Sequence, residues 1–169
     1  MGPDQVAEQE QVASALVGHC LTRVAYFTLD VEGWHQPWDS PGGDSVEFGV
    51  DLDFDGRPLS VGWKPPSEDT EGLHAGPGSL LGWRNLDVKR VDVGDSSRWL
   101  PALGTRLTAV RLDWRPWSPP SSSTSYLVGV HLSFGDGQKV TLALAEVVAG
   151  QIVRSATNVA VIFDDVAVP

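Results

Sequence analysis

The chain has 169 residues, 41% hydrophobic and 20% charged, which suits one folded domain of ordinary size and excludes a disordered segment. Twelve Lys and Arg against 22 Asp and Glu leave a net charge of −10. That balance argues against binding nucleic acid or an anionic membrane through phosphates, because such contacts need clustered cations.

One cysteine, Cys20, can form neither an internal disulfide nor a zinc cluster, and it reads as a small buried hydrophobe. No apolar run is long enough to cross a bilayer, and residues 1–11 lack the basic and apolar segments of a signal peptide. A cytoplasmic location is the expectation. At this length the core needs no metal, and no cofactor is implied.

The spacing of Val6, Val12, Ala13 and Leu16 predicts a helix over 4–17, with Pro3 as a start signal and Gly18 as a stop. Residues 1–18 thus form an N-terminal helical segment, and 19–169 read as a single β domain. Alternation predicts strands over 24–31, 46–54 and 59–63, with Asp55-Gly56 as a two-residue hairpin turn. Lys64-Pro65-Pro66 ends the third strand, and 67–79, rich in Gly, Pro, Ser and acid, reads as a loop. A fourth strand is expected over about 80–93. Residues 96–103 read as a short helical turn capped by Asp95 or Ser96. Strands then follow over 106–114, 126–134, 139–147 and 158–164.

The second half repeats the first. Phe48-Gly49-Val50-Asp51-Leu52-Asp53-Phe54 precedes Asp55-Gly56, and Val128-Gly129-Val130-His131-Leu132-Ser133-Phe134 precedes Gly135-Asp136-Gly137, 80 positions on. Trp34-His35-Gln36-Pro37-Trp38 is answered at the same offset by Trp114-Arg115-Pro116-Trp117. The fold class expected is therefore all-β and mainly antiparallel. About eight strands would form two pseudo-repeated four-strand meanders, over 22–93 and 104–166, closed as a barrel or sandwich beside the N-terminal helix.

Few motifs carry chemistry. Asp51-Leu52-Asp53-Phe54-Asp55-Gly56 spells the opening of a calcium loop, but its twelfth position is Gly62 where a bidentate Glu is required, and the alternation fits a hairpin. If the halves are related by a pseudo-twofold axis, Asp51 and His131 occupy equivalent positions, with Ser133 beside His131. Those are the residue types of a hydrolytic triad, yet no strained nucleophile turn accompanies them and Ser133 would lie mid-strand, so they read as a solvated outer sheet face. His19, His35, His74 and His131 show no metal-ligand spacing.

Seven tryptophans give the strongest lead. Trp63 and Trp99 fall at core positions. Trp34, Trp38, Trp114 and Trp117 flank strand ends beside loops, where aromatic residues either bind partners or plug the ends of a sandwich. Candidate binding residues are thus Trp34, His35, Trp38, His74, Trp114, Trp117, Asp51 and His131. The expected function is a non-catalytic protein-interaction module, a regulator or immunity-type inhibitor of a basic partner. The alternative is a small-molecule-binding β-barrel, as a carrier or a cofactor-free cyclase or isomerase. Carbohydrate binding by the tryptophans ranks third, without the secretion or linked catalytic domain that usually accompanies it. A homodimer through the helix or an open sheet edge is compatible with this pattern.

Overall fold

The computed structural model describes residues 1–29, 41–63, 72–82, 88–116 and 125–163. Helix α1 spans Pro3–Ser14 and is followed by ten strands. These are β1 (Leu21–Leu29), β2 (Asp44–Val46), β3 (Gly49–Phe54), β4 (Arg57–Trp63), β5 (Leu73–Pro77), β6 (Val88–Asp92), β7 (Leu107–Pro116), β8 (Ser125–Phe134), β9 (Lys139–Val148) and β10 (Gln151–Ile162).

All strand pairs are antiparallel, and they follow the order β2-β10-β9-β8-β5-β4-β3-β1-β6, with β7 on β8. The fold is mainly antiparallel β, a curled half-barrel sheet with one N-terminal helix. No helix among the described residues is long and apolar enough to cross a membrane.

The strand count corrects the expected eight. The stretch expected as one strand over 46–54 breaks at Glu47-Phe48 into β2, which pairs with β10, and β3, which pairs with β1 and β4. The loop expected over 67–79 contains β5. The strand expected over 80–93 is a 3-10 turn at Leu80–Gly82 followed, after residues outside the description, by β6. The last strand begins at Gln151 because Ala149 and Gly150, both at positive φ (49° and 79°), close a hairpin with β9. Helix α1 stops at Ser14. The next residues tighten into i→i−3 bonds, Leu16 N–H to Ala13 O and Val17 N–H to Ser14 O, before Gly18 turns at φ 94°.

Alternation sets the faces. Val50, Leu52, Leu59 and Val61 meet Val130, Leu132, Val140, Leu142, Val159 and Val161 in the main core. Each fully buried large apolar side chain contributes about 1.5–3 kcal/mol. The Asp55-Gly56 turn forms as expected, both residues at positive φ (53° and 81°), the conformation whose twist suits a two-residue hairpin. Ser96 begins the expected turn, its Oγ accepting the Trp99 N–H at 3.3 Å.

Helix α1 lies against β5 and β7 and covers an otherwise open edge. Gln9, buried, accepts the Ala75 N–H of β5 at 2.8 Å, so the strand's outward donor is satisfied by a side chain in place of a ladder. Trp114 of β7 donates its indole N–H to Glu10 at 2.8 Å.

A buried polar network ties the two ends of the curled sheet together. Tyr26 on β1 donates to Asp44 Oδ2 on β2 at 2.7 Å, and Trp99 Nε1 donates to the Tyr26 oxygen at 2.7 Å. Arg98 donates to Asp44 Oδ1 at 2.8 Å and lies over the Phe163 ring, which meets Trp99 edge-on at 5.1 Å. Burial, and then the charge of Asp44, push the Tyr26 pKa well above its ordinary value.

The folded state therefore holds the Tyr26 proton more tightly than the unfolded chain does. That contribution is complete below the ordinary tyrosine pKa of about 10 and is lost as pH climbs above it. Urea titrations between about pH 9 and 11 should show stability falling more steeply in the native sequence than in Tyr26→Phe. Equal slopes would contradict this reading of the network.

Candidate functional site

Four strands and a turn build a depression on the outward face of β6-β1-β3-β4. Pairing sets Asp92, Ala25, Asp51 and Ser60 side by side across the four strands. Arg23, Asp53 and Pro58 form the row on one side. Arg90, Phe27, Gly49 and Gly62 form the row on the other. Ala25 is the small residue in the central row. Arg23, Asp51, Asp53, Pro58, Ser79 and Arg90 line a depression of about 240 Å³.

The upper part of this face is roofed. Leu80 drops into a pit over the paired Gly49 and Gly62, where an added Cβ would stand 2.8 Å and 2.7 Å from its methyl carbons. With Ala25, Phe27, Phe48 and Val88 it makes a small second core. Asp51 fixes that corner: its carboxylate accepts Ser79 Oγ at 2.5 Å and the Leu80 N–H at 3.1 Å. Ser60 shares its hydroxyl proton between Asp51 Oδ1 at 2.7 Å and Gly78 O at 2.5 Å.

The remaining charges are unequally engaged. Asp53 Oδ1 accepts Thr22 Oγ1 at 2.8 Å and the Gly56 N–H at 2.7 Å. Arg23 donates through Nε to Asp92 at 2.7 Å. That bond holds the Asp92 carboxyl below its usual range against a smaller opposing effect of burial, with the Gly94 N–H adding to it. Arg90 makes no hydrogen bond or ion pair among the described residues.

The candidates singled out in the sequence scatter. Trp34, His35, Trp38 and Trp117 lie outside the described residues. Trp114 is half-buried and packs on the main core while holding α1. His74 stands on β5 opposite Gly62. His131 on β8 has its Nδ1 3.0 Å from Thr141 Oγ1. No bond joins Asp51 to His131: the partners of Asp51 all lie in the first half of the chain. Ser133 is the second-last residue of β8, paired with Ala109 and Lys139. Of the expected core tryptophans, Trp99 is fully buried and Trp63 packs against the core.

Sequence reasoning missed Arg23, Ser79 and Arg90. The available signal was register: Arg23 and Asp53 fall opposite each other only once β1 is paired with β3. Among the described residues no group of three or more His, Cys, Asp or Glu is arranged to hold a metal ion. No family model, curated protein or solved structure matches the chain.

Asp51 is thus an anchor for the Ser79–Leu80 corner. Replacing it by Ala should cost about 2 kcal/mol in urea unfolding, because Ser79 Oγ and the Leu80 N–H lose their acceptor and Ser60 keeps only Gly78 O, and Asp51→Asn should cost less than half of that. Unchanged stability in Asp51→Ala would remove the anchor role.

Proposed function

We propose that this protein is a non-catalytic interaction module that engages a basic protein partner, as a regulator or an immunity-type inhibitor would. The observation that carries the reading is an end of the molecule where three turns present exposed carboxylates. The β3–β4 turn carries Asp55, the β8–β9 turn carries Asp136 and the 94–104 turn carries Asp95, all exposed. Backbone bonds gather these turns. Asp55 N–H donates to Cys20 O, Cys20 bridges Arg106, and Gly135 N–H donates to Arg106 O. The 94–104 turn joins them through Gly104 N–H to Leu21 O and through Gln138 Nε2 to Arg98 O. In a chain of net charge −10, such an end suits electrostatic steering of a cationic partner.

Two further observations bear on this reading. The space between the sheet faces is filled by Tyr26, Phe54, Trp99 and a set of leucines, all fully buried, which favours a packed core over a ligand-binding barrel. The hairpin turns also support descent from a duplicated unit. Asp55 and Gly135, 80 positions apart, bond in the same way to Cys20 and Arg106, as a pseudo-twofold axis through that bridge requires. The orders β1-β3-β4-β5 and β7-β8-β9-β10 are both meanders.

Affinity capture of the tagged protein from lysate of its native host, at low and moderate salt, tests the proposal. One stoichiometric basic partner should be recovered, weakened by salt and lost on combined Asp55→Lys, Asp95→Lys and Asp136→Lys substitution. Recovery of the protein alone, or of a partner indifferent to those charges, would overturn it.

A further inference from the structure

We propose that the depression between β1, β3 and β6 binds a small oxyanion, a carboxylate or phosphate group, gripped by Arg90 and Arg23.

The negative groups lining or bordering the depression are already engaged. Asp51 accepts from Ser60, Ser79 and the Leu80 N–H. Asp53 accepts from Thr22 and the Gly56 N–H, and Asp92 from Arg23 and the Gly94 N–H. Donors aimed at a carboxylate offset its charge locally, so these three groups repel an incoming anion less than bare carboxylates would.

The cations, whose charges both act on Asp92, keep hydrogen-bond donors to spare. Arg90 lines the depression with no hydrogen bond or ion pair among the described residues. Arg23 is bonded through Nε alone, so its terminal nitrogens remain to donate. A guanidinium presents five N–H donors in a planar fork that matches the oxygens of a carboxylate or phosphate. Two such forks lining one concavity, with their nearby acids engaged by other donors, form a complementary receptor for an oxyanion. The depression of about 240 Å³ holds roughly eight waters at ~30 Å³ each, enough for an anionic headgroup and a few carbons.

The test is an NMR titration of the whole chain with inorganic phosphate and, separately, with acetate, at ionic strength held constant with sodium chloride. Saturable shifts are expected at amides of β1, β3 and β6 and at the Arg90 side chain with at least one probe. Saturation by phosphate alone assigns a phosphate-bearing ligand, by acetate alone a carboxylate, and by both a general oxyanion site. Arg90→Gln should weaken the dissociation constant at least tenfold. Lys89→Gln, an exposed neighbour on the opposite side of β6 by alternation, should change it less than twofold. Non-saturating shifts with both probes, or saturation that Arg90→Gln leaves intact, would overturn the proposal.

Discussion

The carboxylate of Asp44 holds the sheet in its curl. In strand order β2 and β1 lie near opposite ends of the nine-strand path, yet Tyr26 of β1 reaches Asp44 of β2 at 2.7 Å. Between β2 and β3 the chain turns a corner at Phe48, whose N–H bonds Phe27 O and whose carbonyl accepts the Trp63 N–H. One bent segment, Asp44 to Phe54, therefore serves both ends of the sheet, as strands that turn sandwich corners do. A short three-residue strand such as β2 has little ladder of its own to keep it in place. The ion pair with Arg98 and the hydroxyl of Tyr26 supply that hold, with Trp99 and Phe163 sealing the network from water.

Once the curl is set, the outer faces need covers of their own. On β6-β1-β3-β4 the cover is Leu80 over the Gly49–Gly62 pit, placed by Asp51. On β9 and β10, Ala143, Ala145, Val147, Ala160 and Ile162 form a separate buried cluster. Along the open side, α1 satisfies β5 through Gln9. Side chains singled out in the sequence are thus spent on architecture: Asp51 on a corner, and Trp114 on holding the helix through Glu10. The two surfaces proposed for recognition, the exposed carboxylates of the hairpin end and the Arg23–Arg90 depression, differ in sign and in shape.

Much of the fold was legible where alternation and turn chemistry agree. Val50, Leu52 and Phe54 face the core and Asp55-Gly56 turns the chain, as the pattern requires. The misses have physical causes. Leu73–Pro77 carries glycine and proline, which read as loop, but as a short strand between β4 and the helix it needs little intrinsic propensity. Ala149 adopts positive φ without being Gly, Asn or Asp, so the β9–β10 turn carried a single turn residue, Gly150, in place of a two-residue signal such as Asp55-Gly56. The candidate site was legible only at Asp51, whose bonds to Ser79 and Leu80 span nearly thirty residues of chain. Arg23 and Arg90 become neighbours through pairing across 69 and 63 residues of chain, from Arg23 to Asp92 and from Phe27 to Arg90, which no local pattern encodes.

The most direct test of the central claim is a double-mutant cycle on Asp44 and Arg98 by urea unfolding. The Arg98 side chain is 22% exposed and can turn to water, whereas that of Asp44 is 4% exposed and cannot. Arg98→Met should therefore cost about 3 kcal/mol or more by stranding a buried carboxylate, and Asp44→Ala somewhat less. The double variant should lose less than the two single losses together by more than about 1.5 kcal/mol, the coupling of residues in one network. Additive losses of under about 1 kcal/mol each would mean that the curl is held by packing alone and that the buried pair is incidental.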